Sequence, residues 1–176
     1  MKHADYPVDL LDEKGAKIGQ KPRVEIQKPK DIYHTAHVIL ISPKGELVLS
    51  TIPVREDLPN LYANKIGTTM ATIKRSVETG REAALRGVSR ELFIDDMPLV
   101  ELGAQMHILP DGSKNFISAF YGIADPPGSF SVVDIESLVL MTPNQLDALM
   151  QEENRLDNVA ASLVAIWETY RTKFPV

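Results

Sequence analysis

One stretch of this chain has a helical period and lies between segments with a strand period, and that alternation limits the folds open to it. In Glu78–Ile94, ETGREAALRGVSRELFI, the apolar residues Ala84, Val88 and Leu92 recur at every fourth position with Leu85 beside them. That spacing predicts one apolar stripe on a helix of about four turns, with Arg86, Arg90 and Glu82 on the opposite face. A helix with one apolar stripe needs a surface to cover, and the flanking runs supply a sheet. HTAHVILIS and ELVLSTI are separated by Pro43-Lys44-Gly45, and VELGAQMHIL and NFISAFYGIA by Pro110-Asp111-Gly112. Both are β-rich pairs joined by turn residues, which predicts two hairpins.

The remaining segments fill out a layered molecule. Leu10 and Leu11 precede a Lys14-Gly15 turn and Ile18 follows it, so a short hairpin is expected over about 8–20. PVREDLPNLYANKIG lacks periodicity and predicts a loop, TTMATIK a strand leading into the helix, and Ser137–Met141 a further strand. Thr142-Pro143 supplies an N-cap and a first-turn proline for a helix through NQLDALMQ. Leu156, Val159, Leu163, Ile166, Trp167 and Tyr170 predict one docked terminal helix over about 155–173. The order of strands, one helix, more strands and two helices predicts an α+β layer architecture rather than regular βαβ alternation. At 176 residues, with 44% hydrophobic and 24% charged, one domain over 1–176 is expected.

Composition also excludes some chemistry. With 19 basic and 24 acidic residues the net charge is −5, the wrong sign for a dedicated binder of nucleic acid polymers. There is no cysteine, so disulfides, thiolate metal sites and cysteine nucleophiles are ruled out. No apolar run approaches the ~20 residues that span a bilayer, and the N-terminal residues lack a secretory apolar core; no membrane association and a cytoplasmic location are the expectations.

The segment ATIKRSVETGREAALRGVSRELFI, about 68–94 with its strand and loop, resembles the Nudix box, G-x5-E-x7-R-E-U-x-E-E-x-G-U with U apolar. The resemblance implies a Nudix-type α/β/α sandwich with a mixed sheet, and descent from Mg2+-dependent hydrolases of nucleoside or other diphosphates linked to a moiety X. Two registers are open. In the first, which is preferred, ETGREAALR overlays the family pattern E-T-x-x-E-A-A-x-R, with Ala83 at the small packing position and Leu92 to Ile94 as the stop. Glu78 and Arg86 then match the family's structural pair, and Glu91 is the one carboxylate left for catalysis and metal binding. Thr72, Gly87, Arg90 and Phe93 stand where the leading glycine, two glutamates and the late glycine belong. In the second register, Arg90-Glu91-Leu92 is the R-E-U signature with Glu82 upstream, and Glu91 with Asp95 forms a partial metal site beside Asp96.

Beyond the box, VDLLDEKGAKIGQKPR, HTAHVILISPKGELVLS and DIESLVLMTPNQL resemble the isopentenyl-diphosphate-isomerase-like branch, so the likeness spans roughly positions 8 to 150. Isomerase chemistry in that family needs a catalytic cysteine, which this chain lacks. The resemblance implies Mg2+ or Mn2+ as a weakly held cofactor and a small phosphorylated or diphosphate ligand, with Lys74 and Arg75 beside the helix N-terminus to meet it. Members of that branch also pair as homodimers. Activity is expected to be weak or lost; the alternative is a catalytically inactive phosphometabolite-binding or regulatory module.

Each candidate also has a plain structural reading. Glu91 reads as a solvated carboxylate on the helix face, and Asp134, before a strand with Glu136, as a turn former. His34 and His37, three apart on a strand, point to opposite faces and cannot share a metal. His107 belongs in a strand and His3 in a loose terminus. Trp167 belongs to the core of the terminal helix, while Tyr62 and Phe130 are candidates to stack on a nucleobase.

Overall fold

Three antiparallel hairpins form where the turns were expected, each closed by a glycine at positive φ. The computed structural model describes residues 5–27, 30–54 and 62–175, so His3 and the middle of the 53–65 loop lie outside the described residues. Strands β1 (Pro7–Leu11) and β2 (Lys17–Pro22) pair around Asp12–Gly15. β3 (His34–Ile41) and β4 (Leu47–Thr51) pair around a turn in which Gly45 has φ +81°. A residue with a Cβ is disfavoured at that angle. The side chain of the turn's first residue finishes the closure. Asp12 Oδ1 accepts from the amides of Lys14 (2.9 Å) and Ala16 (2.8 Å), and Ser42 Oγ plays the same part toward Lys44 and Glu46.

The main sheet is mixed. β5 (Ile66–Gly67), β4, β3, β8 (Lys114–Ile123) and β7 (Val100–Ile108) lie in that order, with β6 (Met70–Ile73) on β3 and β9 (Ser137–Met141) on β4. β3 and β8 run parallel from His34↔Phe116 to Ile41↔Ile123; every other named pair is antiparallel. Strand alternation gives β3 two apolar faces. Ala36, Val38 and Leu40 pack with Ala83, Ala84, Val88 and Leu92 of α1 (Gly80–Leu92). Ile39 and Ile41 pack on the other side with Leu163, Val164, Ile166 and Trp167 of α4 (Ala161–Tyr170). Helices on both faces of a mixed sheet make the α/β/α sandwich.

Two helix boundaries differ from expectation. α1 begins at Gly80 rather than Glu78, because Thr79 caps it: Glu82 N–H donates to Thr79 Oγ1 (3.2 Å) and Thr79 N–H to Glu82 Oε2 (2.7 Å). It stops at Leu92, where Phe93 turns left-handed at φ +56°. The single terminal helix over 155–173 is also corrected. α2 (Pro143–Met150) is followed by a short α3 (Arg155–Asn158), an extended Val159-Ala160 pair, α4, and a 3-10 turn at Arg171–Lys173. The break has a tertiary cause. Val159 bridges Ile66 in parallel, and the Ala160 amide donates to the Ile66 carbonyl at 2.8 Å, so the chain here adds to the sheet edge instead of coiling.

Candidate functional site

The buried face of α1 ends in an acid. Its buried residues are Ala83, Ala84, Gly87, Val88, Glu91 and Leu92. Ala83, Gly87 and Glu91 therefore form one line at intervals of four, along the flank that meets β6. Contact at Gly87 is close: a Cβ there would collide with Met70 Sδ and lie 3.2 Å from Thr72 Cγ2. Glu91 is only 4% exposed, which corrects its reading as a solvated carboxylate. It stands three residues after Val88 and next to Leu92, within the apolar stripe, and that placement was the available signal.

Arg90 and Asp134 complete the cluster. Arg90 Nη2 donates to Glu91 Oε1 and lies 3.8 Å from Asp134 Oδ1. Asp134 arrives from the segment before β9, which is fastened to the helix end by the Ser131 amide donating to the Glu91 carbonyl at 2.7 Å. Ser131 Oγ donates to Asp134 Oδ2 (2.7 Å), and the Ser131 carbonyl accepts from the amides of Asp134 and Ile135. Asp134 thus shapes the turn and also faces the site. Burial pushes the Glu91 carboxyl up to about 8, against the pull of Arg90 and with the Asp134 charge adding to the rise.

Glu91, Arg90 and Asp134 all line a cavity of about 230 Å3 between α1, β6 and the sheet edge. Tyr6, Tyr33 and Tyr62 add aromatic wall, and Arg23 adds a second guanidinium. His37, 5% exposed, is part of the lining, with Nδ1 3.1 Å from Thr68 Oγ1 and Nε2 3.1 Å from Thr35 Oγ1. Cation, carboxyl, hydroxyl and ring surfaces on one concave wall suit a small polar ligand with a flat group and an anionic group. Nothing in the sequence pointed to Tyr6 or Arg23, which reach the cavity only because the β1–β2 hairpin docks through the Leu10↔Tyr33 bridge.

Glu78 and Arg86 form a two-point ion pair, Nε to Oε1 at 2.6 Å and Nη2 to Oε2 at 2.8 Å. Arg86 Nη2 also donates to the Ile73 carbonyl (3.0 Å), and Glu78 Oε2 accepts the Arg75 amide (3.0 Å), so the pair pins the 74–79 loop. Although burial opposes it, the Arg86 and Arg75 hydrogen bonds hold the Glu78 carboxyl below its ordinary range.

Lys74 and Arg75 are not in the cavity wall. Lys74 Nζ donates to the Arg75 carbonyl (3.2 Å), while the Arg75 guanidinium lies over the Tyr6 ring at 5.0 Å. Nor are Glu91 and Asp95 brought together. The helix ends before Asp95, whose carboxylate accepts from Ser89 Oγ at 2.5 Å. Ser89 and Glu91 are two positions apart and so point to opposite sides of the helix. His34 donates to or accepts from Ser118 Oγ (2.8 Å), well apart in its bonding from His37. Phe130 packs on the α1 side of the core, whereas Tyr62 faces the cavity.

Among the described residues, no group of three or more His, Asp or Glu side chains is placed to hold a metal ion. A hard dication takes about six oxygens. Glu91 and Asp134 offer theirs across a guanidinium, so as arranged this donor set does not fit Mg2+ or Mn2+. No helix among the described residues is long and apolar enough to cross a membrane.

No protein-family model matches the chain. It is similar to an uncharacterised Nudix hydrolase of Yersinia pestis, 21% identical over 145 residues that cover 82% of this chain and 78% of that protein. A Deinococcus radiodurans protein of known structure superposes with a TM-score of 0.67 at 20% identity, over 81% of this chain and 86% of its own. The Nudix domain of Shewanella oneidensis NrtR, solved with ADP-ribose, superposes with a TM-score of 0.55 at 10% identity, over 80% and 86%. A mixed sheet between helices, with the box-like strand, loop and helix along one flank, matches these neighbours in architecture: this chain has the fold of the Nudix hydrolase superfamily.

Proposed function

We propose that this chain binds a small phosphorylated or diphosphate ligand in the Glu91 cavity, and that its diphosphate hydrolysis is weak or lost. The observation that supports this best is the cluster at the end of α1. Glu91 is buried in the cavity wall, but its neighbour Arg90 contributes a guanidinium where hydrolases of this fold would need further carboxylate oxygen. The Glu78–Arg86 ion pair favours the register in which those two are the structural pair of a degenerate box. The D-x-x-G hairpin before β3 favours kinship with the isopentenyl-diphosphate-isomerase-like branch. ADP-ribose bound to the Nudix domain of the Shewanella protein is a precedent for recognition on this fold. The reading is therefore a recognition module descended from hydrolases.

The test is a calorimetric titration of Mg2+ and Mn2+ into the purified protein, with and without a panel of nucleoside diphosphate compounds that includes ADP-ribose, while phosphate release is followed. Ligand binding with little release is expected. Metal-dependent turnover near the ~10 s−1 of ordinary enzymes would sink the claim of lost activity.

A further inference from the structure

A cleft that receives phosphoryl oxygen needs positive charge or N–H donors facing it. On this fold a divalent cation usually supplies them, and the carboxylates here cannot easily hold one. Arg90 instead brings its own positive charge between the two acids, with Nη2 bonded to Glu91 and 3.8 Å from Asp134. A guanidinium has five N–H donors in a rigid fork. The two acids engage Nη2, whereas the Nε–H is buried and has no acceptor among the described residues. Arg90 nevertheless lines the cavity and keeps 34% of its side chain exposed. The buried Nε–H is closed to the cavity as the side chain stands, so an acceptor oxygen would meet this partly exposed side chain through its remaining N–H donors.

The neighbouring acids do not cancel this. The Asp31 charge is met by Lys21, whose Nζ is 2.8 Å from both carboxylate oxygens. Asp111 spends Oδ1 on the Ser113 amide and hydroxyl, at 3.0 and 2.6 Å. Arg23 adds a second cation to the lining.

We infer that Arg90 is a tethered cation, held by Glu91 and Asp134, and that it binds a phosphoryl group of the ligand directly, making recognition independent of Mg2+. This rests on the cavity being the ligand site, as proposed above.

Calorimetry with ADP-ribose, in excess EDTA and again in excess Mg2+, separates the two claims. Affinities within about twofold of each other are expected, with Arg90→Gln weakening binding by about tenfold or more and Arg90→Lys by less. Binding that appears only with Mg2+ overturns the inference and leaves the cavity as the ligand site. No binding in either buffer overturns both. Should Arg90→Gln fail to fold, paramagnetic resonance of Mn2+ added to the wild-type protein still decides. A free-ion signal undiminished by equimolar protein is expected, and its loss would show that the ion, not Arg90, supplies the positive charge.

Discussion

Glu91 shows how one side chain couples the site to stability. It is buried beside Arg90, Asp134 and, further off, Arg86, and burial outweighs the arginines, raising its carboxyl from 4.5 to about 8. A carboxyl raised in the folded state binds more protons folded than unfolded across that window, so stability falls as pH rises from 4.5 towards 8. Glu91→Gln removes the titration while keeping the shape. Chemical denaturation of both proteins at steps of pH should show the downward slope in the wild type and a flatter profile in the variant, and parallel profiles would refute the assignment. The presence of an acid here was legible in the sequence. Its burial was read wrongly because a carboxylate on an amphipathic helix is more often solvated. Its partner Asp134 arrives through tertiary folding alone, which no local spacing encodes. By contrast the Glu78–Arg86 pair was legible through the family pattern, since Glu78 lies before the helix and helical periodicity could not have linked the two.

At the scale of elements, α1 and β6 are matched to each other. Gly87 sits where Met70 and Thr72 press on the helix, so the absent side chain at 87 and the two on β6 are one packing solution. In a helix interior alanine is favoured over glycine by about 1 kcal/mol, yet the Met70 contact should reverse the sign here. Gly87→Ala is expected to cost about 1 to 2 kcal/mol through overpacking. In a Met70→Ala background the same change should instead stabilise by a few tenths of a kcal/mol, an interaction of the size neighbours show. Urea denaturation of the four proteins in the cycle measures it, and additive effects would mean that the two residues do not touch. The same scale explains the split terminal helix. Leu156, Val159 and Leu163 keep helical spacing through the break, so the period predicted continuity. The bridge to Ile66 overrides it, because the edge of β5 offers hydrogen bonds that only an extended chain can take.

For the whole molecule, the cavity depends on a hairpin that belongs to a separate two-stranded sheet. Tyr6 and Arg23 flank β1 and β2 and enter the wall only while that hairpin stays on the main body. Besides the Leu10↔Tyr33 bridge and the Leu11 amide's bond to the Ile32 carbonyl, the hairpin is fastened through Asp9, whose contact with Ser76 crosses to the main body while Gln20 and Lys17 brace it within the hairpin. Asp9 Oδ1 accepts from Ser76 Oγ at 2.6 Å on the loop before α1 and from Gln20 Nε2 at 2.9 Å, with Lys17 Nζ 2.7 Å away, while the Ser76 amide donates to the Pro7 carbonyl. Burial opposes the charge, but the bonds from Lys17, Ser76 and Gln20 win and lower the carboxyl from 3.8 to about 2. A carboxyl lowered by folding stabilises fully above the unfolded value and ceases to do so as pH falls through the folded one, so this fastening should weaken as pH drops below 3.8 and be largely lost by about 2. Asp9→Ala should loosen the hairpin by about 1 to 2 kcal/mol without unfolding the sheet. Hydrogen exchange should quicken by about tenfold at the amides of 8–21 and stay unchanged in β3 and β8, and ADP-ribose affinity should fall in parallel because two wall residues become mobile. If exchange quickens while affinity holds, Tyr6 and Arg23 are bystanders and the ligand is recognised by the wall that α1 and the main sheet provide.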